Sequence, residues 1–319
     1  MSIPPSEDEI ATIFGSAQRW LAEGHRVAIA TVLETWGSAP RRVGAHAVMR
    51  DDGLFEGSVS GGCVEGDVIE TARILLAQGG GFRRLEYGVV DDRAWEVGLA
   101  CGGRIAVLVQ TVDDRNYPPA LIAEVMAARE RGDTLTVATS LDTGLSRTVG
   151  ETETAGVADF RHIHRPMLRL IVAGAVHITQ ALVPMARMAG YRALIVDPRE
   201  SYAAAARFVD DRVDTRFPDE AMADWKPDAS TAVVTLTHDP KIDDPALHAA
   251  LRSPAFYIAS LGSRRTQAAR LERLRAAGFD DAALARINGP AGLPIGAANP
   301  AEIAISIMAQ MTAALRALP

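Results

Sequence analysis

Residues 168–177, Leu168-Arg169-Leu170-Ile171-Val172-Ala173-Gly174-Ala175-Val176-His177, decide the class of fold. A short apolar run that ends in a glycine turn and passes into a helical pattern over His177 to Ala189 reads as a buried strand feeding a covering helix. The same alternation returns around the apolar runs Arg192 to Val196, Thr231 to Leu236 and Phe256 to Ser260. Repetition of this kind predicts a parallel sheet with helices on its faces, and in such sheets ligands bind just past the carboxyl ends of the strands. Those ends place Gly174 to His177, Asp197 to Arg199, Thr237 to Pro240 and Leu261 to Arg265 on one rim.

Chemistry-bearing residues cluster on that rim. Asp197 lies about twenty residues beyond Gly174, where an acidic residue bonds a ribose hydroxyl in dinucleotide-binding folds. The glycine fingerprint is incomplete, because Val176 and Thr179 stand where its second and third glycines would be. A β-branched side chain at 176 obstructs the approach of a pyrophosphate to the backbone and so counts against NAD(P). Ser263 can cap a helix beginning at Arg264, which puts a helix N-terminus beside Arg264 and Arg265 and suits an anion. His238 fits either a structural role or a ligand contact. Asn299 and Pro300 open a last helix, Ala301 to Leu318, apolar around much of its circumference; it must cover the sheet or a second copy of the chain, and a homodimer is expected.

The N-terminal half reads as a mixed α+β domain centred on Gly57-Ser58-Val59-Ser60-Gly61-Gly62-Cys63-Val64-Glu65-Gly66-Asp67. A strand, Leu54 to Val59, enters a turn whose Gly61 and Gly62 permit positive φ and close approach of a ligand, and Val68 to Ala77 continues as a helix. Cys63 then sits near a helix N-terminus, a setting that favours a thiolate. Cys101, beside Gly102 and Gly103 and just before the strand Arg104 to Gln110, repeats the arrangement, so the two loops could face a shared site. Structural cysteines or a disulfide are equally compatible with the spacing, and zinc is not indicated, since no C-x-x-C or H-E-x-x-H is present. Arg41 and Arg42, in the Gly/Pro-rich loop Trp36 to Gly44, offer donor forks suited to phosphate or carboxylate. Domain boundaries are expected at 1–150 and 166–319, joined by a polar linker, 151–165, whose His162-Ile163-His164 has a spacing open to a metal but is read as two exposed linker histidines without a carboxylate partner.

Composition narrows the class. The chain has 319 residues, 48% of them hydrophobic, enough for two cores. A net charge of −7 argues against nucleic acid as a partner. No apolar run of about 20 residues is present for a membrane span, and the acidic start Ser6-Glu7-Asp8-Glu9 has the wrong sign for a signal peptide. Two cysteines in such a chain fit a reducing cytoplasm.

Together, Gly37-Ser38-Ala39-Pro40-Arg41, the Gly57 to Glu65 stretch, Cys101-Gly102-Gly103, Thr237-His238-Asp239-Pro240-Lys241, Leu261-Gly262-Ser263-Arg264-Arg265-Thr266 and Pro300-Ala301-Glu302-Ile303-Ala304 resemble the XdhC/CoxI family, accessory proteins of xanthine dehydrogenase and related molybdenum hydroxylases. The resemblance spans nearly the whole chain. It implies an N-terminal mixed domain followed by a Rossmann-like, doubly wound domain, and a chaperone without turnover of its own. Such a chaperone would bind molybdenum cofactor (molybdopterin), assist its sulfuration by a cysteine desulfurase and insert it into the apo-hydroxylase. Cys63 and Cys101 are then expected at the molybdenum end, as possible ligands of the metal, with Arg41 or the Gly262 to Arg265 loop at the anionic tail. Two departures stand out: Val176 in place of the family's glycine, and Pro294 in place of an aspartate. The rival class is an NAD(P)-dependent oxidoreductase with redox-active cysteines.

Overall fold

The structure, a computed structural model, describes residues 9–37, 41–88, 103–150, 159–209 and 211–317. Its contacts divide the chain into two units, Asp8–Pro166 and Met167–Pro319.

In the first unit the helix Glu9–Ala22 buries Ile13, Phe14, Ala17 and Trp20, spaced three and four apart along one stripe. The strands β1 (Val27–Trp36), β2 (His46–Arg50) and β3 (Phe55–Gly57) follow, then the helix Glu65–Ala77, β4 (Phe82–Tyr87) and β5 (Arg104–Thr111). These strands form one antiparallel sheet in the order β3-β2-β1-β5-β4. The most apolar strand, β1, runs through its centre. One side packs the helix Glu65–Ala77 through Val68, Ala72, Leu75 and Leu76. Another core joins the helix Glu9–Ala22 to the helix Pro119–Arg131, which stops at Gly132 in a left-handed conformation.

A second, three-stranded antiparallel sheet has the order β7-β6-β8, built from β6 (Leu135–Ser140), β7 (Ser146–Val149) and β8 (Asp159–His164). The presence of β8 corrects the linker reading: the second half of the stretch expected as linker is a strand paired along its length with β6. Its composition hid it. The period-two alternation turns Phe160, His162 and His164 to one side, with His164 2% exposed, while the apolar Ile163 on the other side is 50% exposed. His162 and His164 are therefore strand residues and not exposed linker histidines.

The second unit is the expected parallel α/β fold. Its strands are β9 (Leu168–Ala173), β10 (Tyr191–Val196), β11 (Arg212–Asp214), β12 (Thr231–Thr235), β13 (Tyr257–Ser260) and β14 (Ile287–Asn288). They pair in parallel in the order β11-β10-β9-β12-β13-β14, the Rossmann order, which reverses direction between β9 and β12. The helices His177–Met188 and Pro300–Arg316 contribute to one core cluster, and Pro218–Trp225, Pro240–Leu251 and Arg264–Ala276 to another. Pro184 lies inside the helix His177–Met188 without ending it. The last helix is capped by Asn299, whose side chain accepts from the Glu302 N–H at 2.9 Å, and it buries Ala304, Ile307 and Met311. No helix among the described residues is long and apolar enough to cross a membrane.

Candidate functional site

The glycine-rich turn is organised by its own carboxylate. Glu65, the first residue of the helix Glu65–Ala77, folds back and accepts from the Ser58 hydroxyl at 2.6 Å and from the N–H groups of Val59 (3.2 Å), Ser60 (2.9 Å), Gly61 (3.2 Å) and Gly62 (2.9 Å), as well as from the Ser60 hydroxyl. Ser60 Oγ in turn accepts from the N–H groups of Cys63 and Val64, each at 3.0 Å. Positive φ at Gly61 (81°) and Gly62 (116°) is what aims successive N–H groups at one point. The N–H groups that make a turn of this kind attractive to an external anion are thus taken up internally. Burial on its own would raise the Glu65 carboxyl, but these donors outweigh it and bring it down to about 2. Glu65 is an ionised structural anchor, not a solvent-facing carboxylate.

Cys63 lies immediately before the helix N-cap Val64, a half-buried free thiol packed against the core that contains Val64, Val68 and Ile105. Arg41 reaches the same turn from the other side: its Nε donates to the Ser58 carbonyl at 3.0 Å, and its guanidinium pairs with Glu9. Cys101 and Gly102 lie outside the described residues.

A cleft of about 1070 Å³ lies at the ends of β1, β4 and β5, lined among others by Trp36, Arg84, Tyr87, Gly88 and Arg104. Trp36 is 70% exposed, with the Arg104 guanidinium 5.9 Å from its ring centre. Tyr87 links cleft and turn, donating its hydroxyl to Asp67 in the first turn of the helix Glu65–Ala77 at 2.7 Å. Burial, and then Asp67, push the Tyr87 phenol well above its ordinary value, so it stays a donor. Gly88 and Arg104 both line the cleft. This cleft escapes sequence reasoning because its walls come from strands far apart in the chain.

In the second unit the rim loops gather at the strand-order reversal as expected. Gly174 has φ +120°, and a Cβ on it would lie 2.8 Å from Thr237 Cγ2, so a side chain there would push the β9 and β12 loops apart. Asp197 is fully buried and turned inward: its carboxylate accepts from the Ala175 N–H at 2.7 Å, the Arg199 N–H at 3.0 Å, and the Arg199 fork at 2.8 and 2.7 Å. The position matches the ribose-binding acid, but its oxygens are already engaged. Burial alone would raise this carboxyl; the Arg199 fork and the two N–H groups reverse that and hold it below its ordinary value. Val176 adopts an extended conformation at the helix N-cap and packs its side chain on the core, and Thr179 donates its hydroxyl to the Gly174 carbonyl. His238 is exposed with φ +62°, its N–H held by Asp243 at 3.1 Å. Ser263 caps the helix Arg264–Ala276, as its sequence setting suggests, by accepting from the Thr266 N–H. Gly262 precedes it with φ +150°, and Arg264 is exposed. Beneath both loops the sequence reading missed a buried pair: Asp243 accepts from Thr237 and His238, Arg270 donates to the Leu261 carbonyl at 3.0 Å, and the two charges lie 3.6 Å apart.

Similarity to known proteins agrees with this layout. Residues 20–88 match the model of the XdhC and CoxI family, and residues 170–311 match the XdhC Rossmann domain. The molybdenum cofactor insertion chaperone PaoD of Escherichia coli (strain K12) is 30% identical over 309 residues, covering 95% of this chain and 88% of that protein. The chain belongs to the XdhC and CoxI family. Another relative, a probable xanthine dehydrogenase subunit from Bacillus subtilis (strain 168), is 25% identical, covering 91% of this chain and 94% of that one. The crystal structure of a xanthine dehydrogenase from Bacillus halodurans superposes with a TM-score of 0.77 at 25% identity, covering 97% of both chains. For this member of the XdhC and CoxI family, the Rossmann domain and the glycine-rich turn of the first unit both fall inside the matched segments.

Proposed function

We propose that the protein binds molybdenum cofactor and inserts it into a molybdenum hydroxylase of the xanthine dehydrogenase type, assisting its sulfuration by a cysteine desulfurase on the way. The observation that carries this reading is the full-length similarity to an insertion chaperone, 30% identity across 95% of the chain. The geometry of the first unit supports it. Molybdenum cofactor combines a soft, dithiolene-bound metal, a flat pterin and an anionic tail. The cleft at the ends of β1, β4 and β5 offers an exposed Trp36 ring for stacking and the Arg104 guanidinium for an anion. Cys63, on the glycine-rich turn, and Cys101 supply soft sulfur for the metal end. Arg41, with its Ser58 and Glu9 contacts, serves to brace the turn. Oxidoreductase chemistry on NAD(P) is the weaker reading, because the Asp197 oxygens are occupied and Val176 replaces the second fingerprint glycine.

The test is cofactor retention. Protein purified from cells that make molybdenum cofactor is expected to carry molybdenum and pterin in comparable amounts, and both are expected to fall sharply in Cys63→Ala and in Cys101→Ala. Bound NAD(P) without molybdenum, or retention unaffected in the double cysteine variant, would overturn the proposal.

A further inference from the structure

Three histidines from separate parts of the first unit meet where its two sheets adjoin. His46 opens β2 in the larger sheet, and His162 and His164 project from the same side of β8 in the smaller one. Their ring centres are 4.9 Å (His46–His162), 5.6 Å (His46–His164) and 4.2 Å (His162–His164) apart. One ring nitrogen from each lies within 4.8 Å of the other two. Phe14 of the helix Glu9–Ala22 packs beside the group, with ring centres 5.4 Å from His46 and 5.8 Å from His164. His46 Nδ1 is hydrogen-bonded to Thr31 Oγ1 at 2.9 Å, which leaves Nε2 facing His162 Nδ1 at 3.0 Å. The Gly44 backbone crowds the far side of the His162 ring, where a Cβ would lie 2.5 Å from Nε2. His164, 2% exposed, has both ring nitrogens buried without a hydrogen-bond partner among the described residues.

Packing alone does not account for this group. Buried polar atoms are normally paired, and an orphaned imidazole beside two others calls for a missing partner. Among the described residues no carboxylate joins the cluster to make it an ion-pair network.

We infer that His46, His162 and His164 form a binding site for one divalent first-row transition-metal ion of the zinc class. Imidazole nitrogen without carboxylate suits zinc, cobalt, nickel or copper and does not suit calcium or magnesium. With Zn–N bonds of about 2.0–2.1 Å, tetrahedral ligand nitrogens lie about 3.3 Å apart. The present separations, 3.0 Å for one pair and at most 4.8 Å for the rest, bracket that value, so small ring rotations close the site. Thr31 Oγ1, on His46 Nδ1, is the outer partner that orients the ring with Nε2 inward. Three protein ligands leave a fourth position for water, and the half-buried His162 marks the side open to solvent. Arg129, whose guanidinium donates to the Arg165 carbonyl, is the nearby charge that opposes a cation and moderates affinity. A bound ion would tie the two sheets together independently of the cofactor site.

The test uses the full chain stripped by a chelator and titrated with Co²⁺ and then Zn²⁺. One equivalent of Co²⁺ is expected to give the intense visible bands of four-coordinate, nitrogen-ligated cobalt without a near-ultraviolet thiolate band, and Zn²⁺ to displace it. His162→Gln, a change at the half-exposed ligand, is expected to abolish the visible bands while far-ultraviolet circular dichroism stays unchanged, and Thr31→Val to weaken binding roughly 10- to 100-fold. No saturable uptake by the wild-type chain would overturn the site. So would a thiolate band, which would place the metal at a cysteine, or undiminished binding by both His162→Gln and His164→Asn.

Discussion

At the scale of single residues, the most consequential finding is Glu65. Its carboxylate fills the concavity that the glycine-rich turn makes with its own N–H groups, so the turn is preorganised before any ligand arrives. Removing the charge while keeping the shape should leave the partly buried donors of Ser58, Val59 and Ser60 poorly matched, and Glu65→Gln is expected to cost about 1–2 kcal/mol of stability in urea unfolding, with faster amide exchange at 59–62. A loss below about 0.5 kcal/mol would mean that the serine hydroxyls hold the turn alone. The pH dependence has a definite sign. The folded-state carboxyl titrates at about 2 and its ordinary value is 4.5, so the stabilisation is fully present above 4.5 and is lost as the pH falls through about 2. The wild-type chain should therefore lose stability relative to Glu65→Gln across that interval and not above it. Cysteine, glycine and acid were all visible in the sequence here; that the acid bonds the glycines was not, because a helix first-turn glutamate faces solvent as readily as it folds back.

At the scale of elements, the rim of the parallel sheet is held by charges beneath it. Asp243, on the helix Pro240–Leu251, and Arg270, on the helix Arg264–Ala276, are each only 2% exposed, and between them they bind the loops that follow β12 and β13. Burial drives the two groups in opposite directions, the Asp243 carboxyl up and the Arg270 guanidinium down, the mark of a desolvated pair. Arg270→Met leaves Asp243 buried without its counter-charge and is expected to cost about 3–5 kcal/mol in guanidinium unfolding. The neighbouring Arg273–Asp244 pair is shorter, at 2.7 Å, but Arg273 is 41% exposed, so Arg273→Ala should cost at most about 1 kcal/mol. Equal losses in the two variants would show that burial is not what sets the difference. Four strands of this sheet, β9, β10, β12 and β13, were readable from apolar runs within a residue or two, since parallel strands are buried on both faces, whereas the short edge strands β11 and β14 carry no such run. By contrast, β8 was not, because its inward face carries histidines and its outward face an isoleucine, the reverse of the usual pattern.

At the scale of the whole molecule, a net charge of −7 over 319 residues predicts no binding to duplex DNA, so a gel-shift at low salt should leave the duplex free; a shift that salt abolishes would reveal a basic surface that the composition hides. The family, the order of its two halves and the Rossmann class follow from the sequence alone, because they depend on local signals: apolar runs of strand length, helix caps at Ser263 and Asn299, and glycine-rich motifs whose meaning lies within a few residues. What only the tertiary structure decided is where side chains distant in the chain meet. Asp197 turns inward onto the Ala175 N–H of the neighbouring loop, Trp36 and Arg104 come together at one cleft, and His46 joins His162 and His164 from another sheet. Each of these depends on strand order and register, and a shift of one residue in register reverses which side chains face each other, so no reading of neighbours along the chain contains them.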